Sequence, residues 1–447
     1  MKKALSTLII LFIIFSSILI ILLSTLGLET SRFNSFISQK INKSDDNLIV
    51  KLLTVKFKLD IKEFSLFLET KKPSINYRKI SIPTNNIKIY IDFLSLLKTD
   101  PKIEKINLVF KQIDINQLKD LSSVIKPSNL KSFINNKVKN GKIDLEIEAF
   151  LNENNILDNF IAKGSVSNFK TELIKGINLE KTEFDFIADK SDILIKNFYS
   201  EGEGFQIEDA DIKLQLLSEI SLKSNFQTKI NYNFNKSDYF NFLKKFNQIK
   251  NMTNVEAQIK NNLEIKFDKT YKVKNYYYKN SGKIKNVNFV FKEPISNYFL
   301  RDNINKLSLN NSEIETIYSS KKKSFNISGK YSLNDGNNVS FKLINNFNKQ
   351  SINTNISGDY DQSLSLGIIN YEKPKNILAN FSIDLKKNKD LIMINDFNYK
   401  EGKNLISLKE IKLDRNKILS IKKIDIKTKK NGRINNDFLI LFDQKIS

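Results

Sequence analysis

The chain contains no cysteine, no histidine and no tryptophan. Without cysteine there are no disulfides and no thiolate metal sites, an absence compatible with a bacterial periplasm. Without histidine the commonest general base is missing, together with Ser-His-Asp and Cys-His catalysis and the usual zinc ligands. There is no Gly-x-x-x-x-Gly-Lys-Ser/Thr phosphate loop and no Asp-x-Asx-x-Asx-Gly calcium loop. Asp and Glu are plentiful, but no pocket is defined for a carboxylate dyad. The chain is therefore expected to be no enzyme, with no catalytic, cofactor-binding or metal-binding residues.

One long apolar run is present. Lys2 and Lys3 precede Ala4 to Leu28, which carries no charge until Glu29. These 25 residues make about 37 Å of helix, enough to span a hydrocarbon core of about 30 Å with some tilt. The run is apolar on all faces, through Ala4, Leu8, Ile13, Ile18, Leu23 and Leu28, and no Ala-x-Ala follows it, so an uncleaved single-pass anchor is expected rather than a cleaved signal. Lys2 and Lys3 on one side against Arg32 and Lys40 on the other give only a weak orientation bias. A short cytoplasmic amino terminus with an exported body is the usual outcome.

Lys and Arg total 72 against 49 Asp and Glu, a formal charge of +23. Lys, Asn and Ile dominate throughout and the charge is spread along the chain. Compositional bias accounts for most of the excess; attraction to anionic headgroups takes most of the rest.

Beyond the connector Arg32–Asn47 the texture is strands. Thr54 to Lys62 alternates strictly, placing Val55, Phe57, Leu59 and Ile61 on one face; Phe64, Leu66 and Leu68 follow in phase. Ile87–Ile91, Leu94–Leu97, the turn Thr99-Asp100-Pro101, and a strand or pair through Ile103, Ile106, Leu108, Phe110, Ile113 and Ile115 come next. Helices are expected over Asn116–Ile125, stopped by Pro127, and from the N-cap Ser128 through Val138 to Gly141. A later helix is expected over Ser237–Met252. From Lys142 onward, strands of five to nine residues alternate with Asn, Gly, Asp and Ser, as at Ile143–Ile147, Phe184–Phe186 and Ile193–Ile195. Ser332–Gly336 is a hairpin signal, with Val339–Leu343 returning.

Two segments echo each other: Phe160–Phe169, around Gly164, and Lys279–Val287, around Gly282, share Gly-x-[Val/Ile]-x-Asn. Ser328-Gly329 and Ser357-Gly358 repeat the glycine step. Such units bury their apolar faces against neighbours and grow in one dimension. The organisation expected is an anchor (1–31), a β-block with a helix pair (32–141), a first β-repeat region with an inserted helix (142–268) and a second (269–447). The apolar last strand, Phe438 to Phe442, leaves open a fragment or a docking end.

The anchor, Ile89-Tyr90-Ile91-Asp92-Phe93-Leu94-Ser95-Leu96-Leu97, Lys102–Ile106, Asn140–Ile143 and Ala162–Val166 together resemble the AsmA-like family of bacterial envelope proteins, of the TamB and YhdP type. The resemblance covers most of the chain as a texture rather than a catalytic signature. It implies a mainly β fold: an N-terminal transmembrane helix, then an elongated, repeat-like, twisted β-sheet shaped as a taco or groove, with a few short helices. It also implies attachment to the bacterial inner membrane, with the body in the periplasm. An apolar concave face would carry phospholipid acyl chains toward the outer membrane, so partners would be lipid and envelope or outer-membrane assembly proteins. The residues expected on that face, as groove or as core, are Val55, Phe57, Leu59, Ile61, Ile89, Ile91, Ile106, Leu108, Phe110, Ile143, Leu145, Phe184, Phe186, Ile193 and Ile195. The competing expectation is a periplasmic scaffold or assembly factor with a closed β core.

Two other clusters are weaker. Glu201 to Asp211 is the densest acidic stretch and reads as solvated turns rather than a calcium site. Lys269 to Lys285 interleaves lysine with Tyr271, Tyr276, Tyr277 and Tyr278. Stacking on single-stranded nucleic acid is chemically conceivable there, but behind an anchor no nucleic acid is expected, and lysines that protect strand edges explain the pattern.

Overall fold

A computed structural model describes residues 1–447 except 1, 32–33, 35–37, 40–46, 64, 93–101, 125–128, 155, 175–176, 218, 233–248, 270–271, 297–299, 349, 416 and 443–447. Among the described residues the protein is mainly β, with three α-helices, and 24 strands belong to one open, twisted antiparallel sheet. Helix α1 (Lys2–Thr25) is long and apolar enough to cross a membrane, and its apolar window is unburied. Its hydroxyls are satisfied within the helix: Ser17 donates to the Ile13 carbonyl, and Ser24 and Thr25 donate to that of Ile21. The helix stops short of the expected Leu28. Gly27 takes a left-handed φ of 70° and donates its N–H to the Leu22 carbonyl, the glycine turn that ends many helices. Leu28 already belongs to strand β1 (Leu28–Thr30).

The chain divides into two compact units. The first comprises residues 1–200 with 213–218. After β1 come β2 (Leu48–Lys51), β3 (Val55–Asp60), β4 (Ser65–Lys71), β5 (Ser74–Tyr77), β6 (Ile80–Ile82), β7 (Thr84–Ile91), β8 (Ile103–Phe110) and β9 (Ile113–Asp114). Helices α2 (Ile115–Ser123) and α3 (Asn129–Lys137) precede β10 (Val138–Leu151), β11 (Leu157–Ile174), β12 (Ile177–Ala188) and β13 (Asp192–Gly202). Pairing runs β1-β3-β4-β7-β8-β10-β11-β12, all antiparallel, with β9 beside the start of β10. A separate three-stranded sheet pairs β2, β5 and β6.

The second unit comprises residues 201–212 and 219–447. Strand β14 (Phe205–Gln215) is followed by β15 (Ile220–Tyr232), β16 (Ile249–Phe267), β17 (Val273–Ile295), β18 (Ile304–Ser319), β19 (Lys323–Leu333), β20 (Val339–Phe347) and β21 (Ile352–Tyr360). Then come β22 (Leu364–Leu366), β23 (Tyr371–Lys373), β24 (Ala379–Asn388), β25 (Leu391–Glu401), β26 (Asn404–Asp414), β27 (Lys417–Ser420), β28 (Lys423–Lys430) and β29 (Arg433–Leu441). From β15 to β21 each strand pairs with the next in sequence, and the order continues β24-β25-β26-β28-β29. Strands β22 and β23 form their own hairpin.

Local signals explain several boundaries. Asp114 caps α2 by accepting from the N–H groups of Asn116 and Gln117, while the Gln117 side chain accepts from the Asp114 N–H, a reciprocal capping box. At the Leu333–Gly336 turn, Asn334 and Asp335 both have positive φ and the Gly336 N–H reaches the Leu333 carbonyl, the geometry of tight hairpins. Other expectations shift. Val138 opens β10 instead of extending α3, and Gly141 lies inside that strand. Of the helix expected over Ser237–Met252, Ile249 to Met252 instead begin β16, and residues 237–248 lie outside the described residues. So do Phe64, Leu94–Leu97, the Thr99-Asp100-Pro101 turn, Pro127 and Ser128. The expected division near residue 268 falls in the turn between β16 and β17, which are paired along most of their length.

In the first unit, Glu69 is nearly buried. Its Oε2 lies 2.7 Å from Lys58 Nζ, and its Oε1 accepts from Asn86 at 2.9 Å. Burial pushes its pKa up, but the contacts with Lys58 and Asn86 and the charge of Lys71 outweigh burial, leaving the carboxyl below its ordinary value. A depressed carboxylate stabilises the fold above its unfolded pKa, and that contribution is lost as pH falls through the folded value. Glu69→Gln should cost about 1–3 kcal/mol near neutrality. Thermal melts should show the deficit vanish in acid; an equal deficit at all pH values would contradict the ion-pair role.

Candidate functional site

The candidate site is one face of the sheet. In the first unit, register sets Leu28, Phe57, Leu68, Ile89, Ile106, Ala149 and Phe160 side by side on successive strands. Val55, Thr70, Ile87, Leu108, Ile147 and Ala162 form the next row. Further along, Leu145, Gly164 and Phe186 align, as do Ile143, Val166 and Phe184. With Leu59, Ile91 and Phe110 on the same alternation, the strands bring most of the residues expected on this face together. Ile61 is an exception. Asp60 Oδ1 accepts from the N–H groups of Lys62 and Glu63, so the alternation ends in a turn and Ile61 is exposed.

Part of this face is closed. Val50 and Ile75 of the three-stranded sheet join Val55, Leu68, Ile87, Ile89 and Ile91 in one buried core, with Phe57, Ile106 and Leu108 packed against it. Those expected groove residues therefore fill a sandwich-like core. Farther along, Ile143, Leu145, Phe184, Phe186, Ile193 and Ile195 are only half-buried. Phe184 stacks on Phe198, ring centroids 5.8 Å apart.

The second unit carries the longer example. From β15 through β29, one row reads Thr228, Ile259, Gly282, Ile314, Ile327, Leu343, Ile356, Ile383, Phe397, Leu408, Ile424 and Ile440. All but Thr228 and Gly282 are large and apolar. The adjacent row on the opposite face reads Lys229, Gln258, Lys283, Glu313, Ser328, Lys342, Ser357, Ser382, Asn398, Ser407, Asp425 and Leu439, polar until its last member. Period-two alternation thus separates the faces across a dozen strands. The apolar stripe is narrow. Two residues farther along each strand lie Asn261, Asn280 and Thr316; Asn261 accepts a 2.7 Å bond from the Tyr278 hydroxyl.

The glycine echoes occur within strands, on this face. Gly164 lies between Leu145 and Phe186, and Gly282 between Ile259 and Ile314. A Cβ at Gly282 would lie 2.1 Å from the Gln258 carbonyl oxygen, and one at Gly164 would lie 2.0 Å from that of Asp144. The repeat therefore marks places where neighbouring backbones approach too closely for any side chain.

At its C-terminal end the apolar face of this unit is covered. The segment between β21 and β24 folds back as the β22–β23 hairpin. Its Leu364, Leu366, Ile369 and Tyr371 pack with Phe381, Phe397, Tyr399, Ile406, Ile426 and Phe438. The Tyr371 hydroxyl lies 3.2 Å from that of Tyr399 and donates to Glu401 at 3.0 Å. Burial raises the pKa of both phenols, that of Tyr399 to about 12, so both stay neutral. Asn436 Nδ2 donates to the Ile369 carbonyl at 2.7 Å. Lys373, 2% exposed, donates to the carbonyls of Gln362 and Pro374, and burial lowers its pKa. None of these covering contacts was foreseen; the short Leu-Ser-Leu and Tyr-Glu-Lys strands carry too little periodicity to be assigned a layer. The cover reaches β21, where Lys373 Nζ lies 5.4 Å from the centre of the Tyr360 ring and the Tyr360 hydroxyl donates to the Ser363 carbonyl; along the row from Ile259 to Ile356 the side chains are half-buried except Ile327, which is buried.

The hollows of this unit lie on the polar side. One, about 820 Å³, is lined by Lys229, Glu256, Lys283, Lys285 and Glu313 among others, and another, about 640 Å³, by Lys260, Lys283, Lys342, Glu313 and Glu315 among others. In the acidic stretch, Glu208 pairs with Lys229 at 2.5 Å and Asp209 accepts from Gln227. Among the described residues, no three Asp or Glu side chains are grouped so that they could hold a metal ion. Tyr276 stacks on Tyr318, ring centroids 5.3 Å apart, at one rim of the sheet.

No family model matches the chain, and no curated protein or solved structure matches it. The face itself therefore carries the functional argument.

Two outcomes test this description. Gly282→Ala should destabilise the protein by about 1–3 kcal/mol through overpacking, seen as a lower denaturant midpoint. Tyr371→Ala should cost about 3–5 kcal/mol and increase binding of a hydrophobic dye such as ANS, because it uncovers Tyr399 and Ile406. Unchanged dye binding would mean that the hairpin does not cover this face in solution.

Proposed function

We propose that the chain is a non-enzymatic, membrane-anchored protein of AsmA-like type. Its helix sits in a bacterial inner membrane and its body lies in the periplasm. There the apolar face holds phospholipid acyl chains in transfer toward the outer membrane. The observation that carries this reading is the row from Ile259 to Ile356, apolar except at Gly282, backed by a polar opposite face and only half-buried at Ile259, Ile314, Leu343 and Ile356. A sheet with one apolar face normally buries it against a partner layer. At about 4.8 Å per strand, the six strands from β16 to β21 extend about 24 Å along the row, whereas one leaflet's acyl chains span about 15 Å. Each methylene taken from water contributes about 0.8 kcal/mol, so contact with even a narrow apolar stripe favours retention of a chain. Helix α1 supports the anchor.

The scaffold reading is favoured by the covered stretches, at Val55 and Ile89 and under the β22–β23 hairpin, where the core is closed. Lipid content separates the two. Full-length chain purified in detergent should retain phospholipid detectable by extraction and mass spectrometry. Ile314→Lys or Leu343→Lys should cut retention several-fold with an unchanged circular dichroism spectrum, while Lys342→Glu on the opposite face should leave it intact. Equal retention in all three variants would remove the acyl-chain reading and leave the scaffold.

A further inference from the structure

The adjoining ends of β16 and β17, β18 and β19, β20 and β21, β24 and β25, and β26 and β27 all lie on one rim of the second unit. Register makes that rim continuous. Tyr278 lies opposite Tyr318, Tyr318 opposite Lys323, Lys323 opposite Phe347, Phe347 opposite Ile352, and Ile352 opposite Lys387. Leu391 follows beside Asn388, and Ile418 beside Leu413. The rim is unusually apolar for an exposed edge: Val273, Tyr318, Phe347, Ile352, Leu391 and Ile418 are 50, 46, 37, 37, 38 and 63% exposed. It is also basic. Lys272, Lys274, Lys321, Lys322, Lys386 and Lys387 are exposed along it, and none of the six forms a salt bridge among the described residues. Asp268, Asp390, Asp414 and Glu219 are acids along the same rim; Glu219 pairs with Lys266 and also feels the charge of Lys274. Lys323 Nζ lies 4.6 Å from the centre of the Tyr318 ring.

We propose that this rim docks on the surface of an anionic phospholipid bilayer. Three features select that partner. Exposed Tyr, Phe and aliphatic side chains interleaved with lysine form the amphipathic combination that settles at a headgroup boundary. Unpaired lysines complement anionic headgroups over a screening length of about 8 Å at physiological salt. Helix α1 is apolar enough to span a bilayer, which would hold the rest of the chain near such a surface. Tyr318, Phe347 and Ile352 belong to the same alternation as the Ile259–Ile356 row, whereas Leu391, paired with Asn388, lies on the opposite face, so docking would bring a lipid surface to the edge of that row. The rim proposal stands without acyl-chain occupancy, and the two fail separately.

Because the chain has no cysteine, single-cysteine reporters can be placed cleanly. Ile352→Cys and Ile418→Cys would carry the polarity-sensitive dye NBD, with Ser382→Cys on the polar face as control. Each full-length variant would be reconstituted in vesicles of phosphatidylcholine, with or without phosphatidylglycerol. Blue-shifted emission and quenching by spin-labelled lipid are expected at 352 and 418 in anionic vesicles only. Reversing Lys321, Lys322, Lys386 and Lys387 to glutamate should reduce the quenching about tenfold, while the phospholipid retention measured for Leu343 is unchanged. Quenching no greater than at position 382, or equal in both vesicle types, overturns the proposal. So does a blue shift that depends on protein concentration in detergent without vesicles, which would assign the rim to a second copy of the chain.

Discussion

Register is the constraint on which this structure depends. Side chains alternate across a strand, so a slip of one residue would carry every apolar side chain to the opposite face. Along the row from Ile259 to Ile440 the pairing keeps Ile, Leu and Phe together, with Lys, Ser, Asn and Glu in the adjacent row on the other side, although several bulges interrupt the strands. The hairpin turns hold that phase. Asn334 and Asp335 adopt the left-handed conformation a tight turn needs, and the mid-strand glycines let neighbouring backbones close in without losing a pairing.

Given such a face, what matters is how much of it is covered. In the first unit a small second sheet seals it with Val50 and Ile75. In the second, a hairpin does the same with Tyr371 and Leu366. The two covers use different physics. The first is almost wholly aliphatic. The second buries phenols and an ammonium group, held by Glu401 and by the carbonyls of Gln362 and Pro374. Buried polar groups of this kind specify one seating of the hairpin, because each loses its partner if the hairpin shifts. Between the covers and the remaining strands, burial falls from nearly complete at Val55 and Ile89 to partial at Phe184 and Leu343.

Much of this was legible in the sequence, for identifiable reasons. Strict alternation from Val55 to Asp60 gave β3 and its inward face. The uncharged run after Lys3 gave α1, and the apolar spacing from Leu118 to Val124 gave α2. What could not be read was layering. Val50, Ile75 and Leu366 sit on strands of three or four residues, too short for periodicity to say whether they extend the main sheet or lie across it. For the same reason the closed core around Ile89 and the half-buried face around Leu145 look identical in sequence. The segment echoes at Gly164 and Gly282 were visible, but their meaning depended on the close carbonyls of Asp144 and Gln258, which belong to neighbouring strands.

The pairing order also bears on how the molecule is made. From β15 to β21 each strand's partner is the one that precedes it in the chain. Loop closure is therefore local at every step, the condition under which β-structure forms fastest. A newly synthesised segment needs only the strand before it as a template, so this part of the sheet can lengthen in step with the emergence of the chain. At each moment a single unpaired edge is exposed, and the next strand to arrive covers it. Such sequential growth limits the time any edge is free to aggregate.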